Sequence, residues 1–402
     1  MTSVAIPQTR NAPLYWLALG AFAVGTEGFM IAAILPKIAS DLSVGIATAG
    51  QLVTIFALAY AVSSPILTAL TGSIDRRGLL IFSMVLFAVS NLVAASVPNY
   101  WSLVAARILL AFSAGLYVPN ANALAGALVP PERRGRAIAI INGGITVAIA
   151  LGVPLGAVIG NGVGWRMTFV GVAVLSTIAV IGLATGLPRG VGAGMTATTL
   201  RQRLEVLRLP GVLSTLFVTT LWAIGGYTVY TYVAPVMATT VGMSGEKIGY
   251  ILFLWGVAAG VGLVIGGNAT DKIGADVVVG VCLPLTAAAL ISLSAAGLYL
   301  TPATALIPVL LAVGLWGVTH WAFWPGQQAR LIAVTGLKVA PVALSLNASF
   351  MYLGFSLGAM LGSVTLVRGG ATDLGLVGGS CILASFALFL ATRRKSVAIH
   401  RD

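Results

Sequence analysis

Charge is scarce in this sequence. Asp, Glu, Lys and Arg together make up 8% of its 402 residues, about a third of the share a soluble domain carries. Hydrophobic residues make up 58%, and the mean hydropathy is +1.02. A soluble fold is excluded, and the backbone of a membrane-embedded chain must be satisfied within helices or a closed barrel. Unbroken apolar runs, rather than residue-by-residue alternation, select helices. Cysteine is nearly absent: Cys282 and Cys381 both lie inside apolar runs, so neither a disulfide framework nor a metal site is indicated. There is no Gly-rich phosphate loop ending in Lys-Ser/Thr and no nucleophile-base arrangement, which argues against ATP-driven work and against an enzyme. No cofactor is expected.

Twelve apolar runs are present, punctuated by Pro, Gly or charge. In the first half they cover 14–36, 46–70, 79–96, 101–128, 136–160 and 165–187; in the second, 211–240, 247–268, 276–298, 303–333, 340–364 and 372–392. The first run contains Glu27 and no clear small-residue cleavage site, so it is expected to remain as a mature helix rather than a signal peptide. The longest polar segment, 188–210, carries Arg189, Arg201, Arg203, Glu205 and Arg208 and reads as a linker with a short amphipathic helix along the membrane surface. The expected organisation is a bundle over 1–187, a cytoplasmic linker over 188–210 and a second bundle over 211–402.

The formal charge of +12 could suggest a nucleic-acid partner, but the basic residues sit in short loops between apolar runs. With twelve spans they fall unevenly. One side receives Arg10, Arg76, Arg77, Arg133, Arg134, Arg136, the linker arginines, Lys272, Arg330, Lys338, Arg393, Arg394, Lys395 and Arg401. The other receives Lys37, Arg166, Lys247 and Arg368. Positive charge marks the cytoplasmic face, which predicts a multi-pass protein of the inner or plasma membrane with both termini cytoplasmic. No nucleic-acid partner is expected.

The halves also echo one another. Asp75-Arg76-Arg77-Gly78 follows the second run, and Asp271-Lys272-Ile273-Gly274 closes the eighth. Two related six-helix halves joined by a polar linker follow the plan of a secondary transporter, with its site between them near the midplane.

Glu27 is the residue around which this reading turns. Counted from Leu14 it lies ~20 Å along a helix, deep inside a ~30 Å hydrocarbon layer. A carboxylate there faces a water-filled cavity or an opposite charge, and is by default a candidate for ion or proton handling. Arg107 is the only basic residue well inside a run, about six positions past Trp101. It falls about 10 Å from the outer boundary, against about 13 Å for Glu27, so a direct or water-bridged pair is expected. The competing reading is a structural ion pair that fixes helix packing.

Several stretches carry a family resemblance. They are Gly25-Thr26-Glu27-Gly28-Phe29 running into Leu35-Pro36-Lys37, the Arg107 helix, Gly152-Val153-Pro154-Leu155-Gly156, Tyr227-Thr228-Val229-Tyr230 and Trp324-Pro325-Gly326-Gln327-Gln328. Over essentially its whole length the chain resembles the drug–proton antiporter branch of the major facilitator superfamily and the related efflux permeases for sugars, purines and chloramphenicol-type antibiotics. The resemblance implies an all-α membrane protein with twelve transmembrane helices in two pseudo-symmetric six-helix bundles. It also implies that helices one and four border a central cavity, and that Gly152, Pro154 and Gly156 form an antiporter signature. Small residues let helix backbones approach and proline removes a hydrogen bond, which suits a tight but pliable contact.

By the same resemblance, Asp75 and Arg76, with Asp271 and Lys272 in the second half, form gating loops. The first copy departs from the pattern, with Thr71 in the place of the first glycine and Leu79 where a basic residue is usual.

Polar and aromatic residues at midspan depth are the candidate substrate contacts. The fourth run offers Tyr117, Asn120 and Asn122, the fifth Asn142, and the seventh Trp222, Tyr227 and Tyr230. His320, Trp321, Trp324, Gln327 and Gln328 belong to the tenth, and Asn347 to the eleventh. Aromatic faces with a few amides suit a flat or amphiphilic neutral molecule. Asn and Gln also serve as interhelical hydrogen-bond glue, and a lone His320 is as well suited to packing as to substrate contact. The expectation is a monomeric transporter that exports a small organic molecule or drug in exchange for protons through Glu27 and Arg107. Export of a purine base, nucleoside or sugar, or proton-coupled import on the same fold, remains the alternative.

Overall fold

The computed structural model describes residues 12–190 and 199–399. Arg10, Arg401 and residues 191–198 of the linker lie outside the described residues. Among the described residues, 12 helices are long and apolar enough to cross a membrane. The six before the linker are α1 (Ala12–Asp41), α2 (Ile46–Leu70), α3 (Arg76–Ser96), α4 (Tyr100–Ala127), α5 (Arg134–Gly162) and α6 (Trp165–Gly186). The linker helix α7 (Leu200–Leu207) follows.

Beyond it the seventh crossing is split into α8 (Val212–Tyr230) and α9 (Val233–Val241). Then come α10 (Lys247–Ile273), α11 (Ala275–Tyr299), α12 (Pro302–Thr335), α13 (Ala340–Arg368) and α14 (Leu374–Ile399).

Two crossings are not regular α-helices throughout. Pro235 has no N–H for the carbonyl of Thr231, four residues earlier, and the chain breaks at Thr231-Tyr232 into α8 and α9. In α5, Pro154 likewise leaves the carbonyl of Ala150 without its usual donor, and the helix widens into a π segment over Ala148–Gly152. Val153 N–H there reaches back five residues to the Ala148 carbonyl.

Helix ends are set by local chemistry. Asp75 caps α3 by accepting the Gly78 N–H at 2.7 Å, and Asn99 caps α4 by accepting the Ser102 N–H at 3.0 Å. Thr199 and Gln202 cap α7 reciprocally. α1 runs five residues past Pro36, and its last residue, Asp41, accepts from Trp165 Nε1 at 3.0 Å and pairs with Arg166.

Helix ends therefore sort onto two sides. One carries Asp75, Arg203, Asp276 and Arg330 and is the linker side; the other carries Asp41 and Arg166 and is the far side.

A stripe of small residues joins α1 to α5. Gly144, Ala148, Gly152, Gly156 and Gly160 recur every fourth position, so they share one helix face. A Cβ on Gly144 would run into the Ala18 carbonyl, one on Gly152 into Thr26 Oγ1, and one on Gly156 would stand 3.0 Å from Met30 Cβ. The partners Ala18, Thr26, Met30 and Ile34 keep the same period, and Ala148 Cβ itself abuts Gly25. The π segment also touches the second half, where a Cβ on Gly256 of α10 would meet the Ile149 carbonyl at 2.5 Å.

That α5–α10 contact continues to the far side through Gly249 and Ala157 and fades toward the linker side. The space around Gly143 and Gly267 is open, and Asn142 is exposed. α2 and α13, by contrast, stay together along their length. Ser363 Oγ donates to Ala47 O at 3.1 Å, Ser356 Oγ donates to Thr54 O at 2.9 Å, and Tyr60 stacks on Tyr352 with centroids 3.7 Å apart.

Candidate functional site

Glu27 on α1 forms an ion pair with Arg107 on α4, and both side chains are wholly out of solvent. The sequence predicts this pairing from depth alone. What it does not predict is the framework around the guanidinium. Arg107 Nε donates to the Leu52 carbonyl at 3.3 Å, and the guanidinium lies 4.2 Å above the ring of Phe56, both on α2. A cation over an aromatic face is stabilised without water. Glu27 Oε2 and Arg107 Nη2 nevertheless have no hydrogen-bond partner among the described residues. The pair is occluded rather than facing water in this conformation, and each member keeps one polar atom in reserve.

The candidate substrate residues divide in two. Tyr227 and Tyr230, with Phe29 of α1, form an aromatic cluster at the junction of the halves; Tyr230 Oη donates to the Phe29 carbonyl at 3.1 Å. Trp222 stacks on His320 at 4.1 Å and on Trp324 at 5.9 Å, so His320 is held as a buried, flat-stacked ring. Trp324 and Gln328 are half-buried and Asn142 is exposed.

Others are committed elsewhere. Tyr117 is fully buried and donates to the Leu17 carbonyl at 3.0 Å, tying α4 to α1. Asn347 accepts from Thr219 Oγ1 at 2.7 Å, and Gln327 donates to the Thr215 carbonyl at 2.7 Å, which makes both interhelical glue. Asn120 accepts from Arg76 Nη1 at 2.8 Å, which places it with the loop at the linker side. Among the described residues no three His, Cys, Asp or Glu side chains gather where a metal could sit.

Twelve apolar helices, a polar linker between sixes and a charge pair buried at the junction describe a carrier. A family model described as Major Facilitator Superfamily matches residues 17–233. The chain belongs to the major facilitator superfamily. It is 35% identical over 383 residues to the uncharacterized MFS-type transporter YbcL of Bacillus subtilis (strain 168), covering 94% of this chain and 95% of that protein. It is 32% identical to the inner membrane transport protein YdhP of Escherichia coli (strain K12), over 96% and 97% of the two chains. A chloramphenicol resistance protein of Streptomyces lividans is 35% identical over 65% of this chain and 67% of its own. Among solved structures, the fold matches a bacterial homologue of the human lysosomal transporter Spinster in an inward-facing, occupied conformation. The TM-score is 0.78 at 17% identity, over 96% and 98% of the two chains. This superfamily consists of membrane transporters rather than enzymes, and the chain is a multi-pass membrane protein.

Within that superfamily fold, the loop residues expected to gate behave unequally. Asp75 spends its carboxylate on capping α3, while Arg76 is buried and bonds Asn120 and, at 3.3 Å, the Gly72 carbonyl. Arg77 donates to the Leu187 carbonyl at 3.0 Å, closing the end of α6. In the second half, Asp271 and Lys272 are exposed and make no ion pair among the described residues.

The ion pairing falls instead to Asp276, which accepts from Arg330 Nε at 2.7 Å and lies 3.7 Å from Arg393. Arg330 also lies 4.6 Å over Phe389. Asp276 is the second residue of α11; its place in the first turn, where a carboxylate suits the helix dipole, was the signal available in the sequence. Arg203 of α7 was also missed as a contact residue. It donates to Thr68 Oγ1 at 3.0 Å and to Ser345 Oγ at 2.8 Å, strapping α2 to α13.

Proposed function

We propose that this superfamily member is a proton-coupled secondary active exporter of a small organic molecule, and that Glu27 is its proton carrier. The observation that carries this reading is the Glu27–Arg107 pair, buried at the junction of the halves with one unpaired atom on each partner. Glu27 can either hold a proton or pair as a carboxylate with the guanidinium, and a change in the surroundings of the pair shifts that choice. Substrate arriving beside the pair is such a change.

In the proposed cycle, Glu27 gives up its proton when substrate binds from the cytoplasmic side. The bundles 1–187 and 211–402, joined by the linker 188–210, then rock to face outward. A proton taken up by Glu27 there favours release of the substrate. Linkage requires the two effects to be equal: if protonation weakens substrate binding, substrate weakens proton binding by the same factor.

The linker side is taken as cytoplasmic because it holds most of the arginines. Divergence of α5 from α10 on that side supports an inward-open state, and the glycine contact of α1 with α5 supports a pliable seal beside Glu27. The name of the Streptomyces lividans relative supports a drug-like substrate. The working unit is a monomer, with protons, one small molecule and the bilayer as its partners.

Counterflow into proteoliposomes tests this, using labelled chloramphenicol, a purine and a sugar, each with and without an imposed pH gradient. Export is supported by accumulation that follows the proton gradient in the antiport sense. Accumulation in the symport sense would assign an importer.

A further inference from the structure

Phe29 lies two residues beyond Glu27 on α1, and its ring is inserted into aromatic groups supplied by the other half. Its centroid stands 6.1 Å from that of Tyr227, 5.9 Å from Tyr230, 6.3 Å from Trp321 and 6.4 Å from Phe355. Interplanar angles of 63°, 84° and 72° make the contacts with Tyr227, Tyr230 and Phe355 edge-to-face, and that with Trp321 is tilted at 53°. Tyr227 and Phe355 lie flat on one another at 3.6 Å and form one wall. A single ring from the first half thus fills a box built by the second.

The box borders polar groups left unsatisfied. Trp255, Trp316 and Trp321 are buried, and their indole N–H groups have no acceptor among the described residues. Trp255 lies 4.7 Å from Tyr230, 5.3 Å from Trp316 and 6.4 Å from Trp321, so it joins the other two indoles beside the box. An indole N–H only donates. Buried donors normally find an acceptor, as Trp165 does with Asp41 at 3.0 Å. Three neighbouring donors without one point to an acceptor brought by a ligand. Glu27, two residues before Phe29, is paired with Arg107, so it offers a cation no unbalanced negative charge.

We propose that Phe29 holds the place of the substrate's ring, and that the box takes a planar, neutral aromatic molecule whose hydrogen-bond acceptors reach the indole N–H groups. The inference rests on the transporter reading and names the substrate class for it. Binding displaces Phe29, and since Phe29 and Glu27 share one helix, occupancy of the box is felt at the ion pair.

The test is calorimetric binding to the purified full chain in detergent, with 4-nitrobenzyl alcohol, 4-methylbenzyl alcohol and benzyltrimethylammonium as probes. The nitro compound should bind about fivefold more tightly than the methyl compound, the difference one hydrogen bond makes, and the ammonium most weakly. Phe29→Ala should tighten the nitro compound several-fold, with Phe29→Leu as a milder variant should the first not fold. Trp321→Phe should reduce the nitro preference and leave the methyl compound unchanged. Equal binding of nitro and methyl probes, preference for the ammonium, or no response to either Phe29 variant would overturn the proposal. Binding is read without a gradient. A lost nitro preference with proton-driven flux intact therefore sinks the box alone, and lost flux with the preference intact sinks the exporter alone.

Discussion

Arg107 reaches from α4 to Glu27 on α1, and neither side chain touches solvent. Removing Arg107 leaves Glu27 without a counter-charge, which costs about 3–5 kcal/mol at alkaline pH, where the carboxyl cannot escape the cost by holding a proton. Arg107→Met is therefore expected to lower the thermal unfolding temperature of the purified protein sharply at alkaline pH. Adding Glu27→Gln should recover much of the loss, because no unpaired charge then remains. Independent, additive effects of the two substitutions would show that they do not act as a pair.

The α1–α5 seam makes opposite predictions for two glycines about two and a half turns apart on the same helix. Gly152→Ala drives a methyl group into Thr26 Oγ1 and should cost about 1–3 kcal/mol. Gly143→Ala meets open space and should be neutral or slightly stabilising, since alanine is the better helix former. Paired melting curves check both, and equal behaviour would contradict the packing described.

The crossings, the linker and the Glu27–Arg107 pair were legible in the sequence because hydrophobic run length and helical rise fix depth without knowledge of packing. The family signature was legible in Gly152, Pro154 and Gly156, but its register was not. The full stripe from Gly144 to Gly160 gains meaning only once Ala18, Thr26, Met30 and Ile34 stand opposite it.

Polar side chains were read least well. Asn120 and Tyr117 sit at the right depth for a cavity, yet their bonds to Arg76 and Leu17 depend on which way each helix face turns. The small moments of these nearly all-apolar helices give no such direction. Pro235 and Pro154 marked where helices would yield, but not that one would break and the other widen into a π segment.

The second-half loop separates two neighbouring acids. Asp276→Asn leaves the largely covered Arg330 short of its partner and should destabilise by about 1–2 kcal/mol, allowing for the half-exposed carboxylate. Asp271→Asn, at an exposed position without an ion pair among the described residues, should leave the melting temperature where it is. If Asp271→Asn proves the more damaging, the ion pairing has been misassigned.

Arg203 ties Thr68 to Ser345 from the linker helix. Arg203→Ala should loosen the linker-side ends of α2 and α13. Spin labels at the exposed positions Leu70 and Lys338 should show a broader distance distribution in the variant. An unchanged distribution would mean that α2 and α13 are held together by their own contacts alone.

The most direct test of proton carriage by Glu27 is labelled-chloramphenicol counterflow in proteoliposomes, comparing the wild-type chain with Glu27→Gln at zero and at an imposed pH gradient. The account predicts that both exchange substrate when no gradient is present, and that only the wild type responds to the gradient. A Glu27→Gln protein that follows the gradient as the wild type does would contradict it.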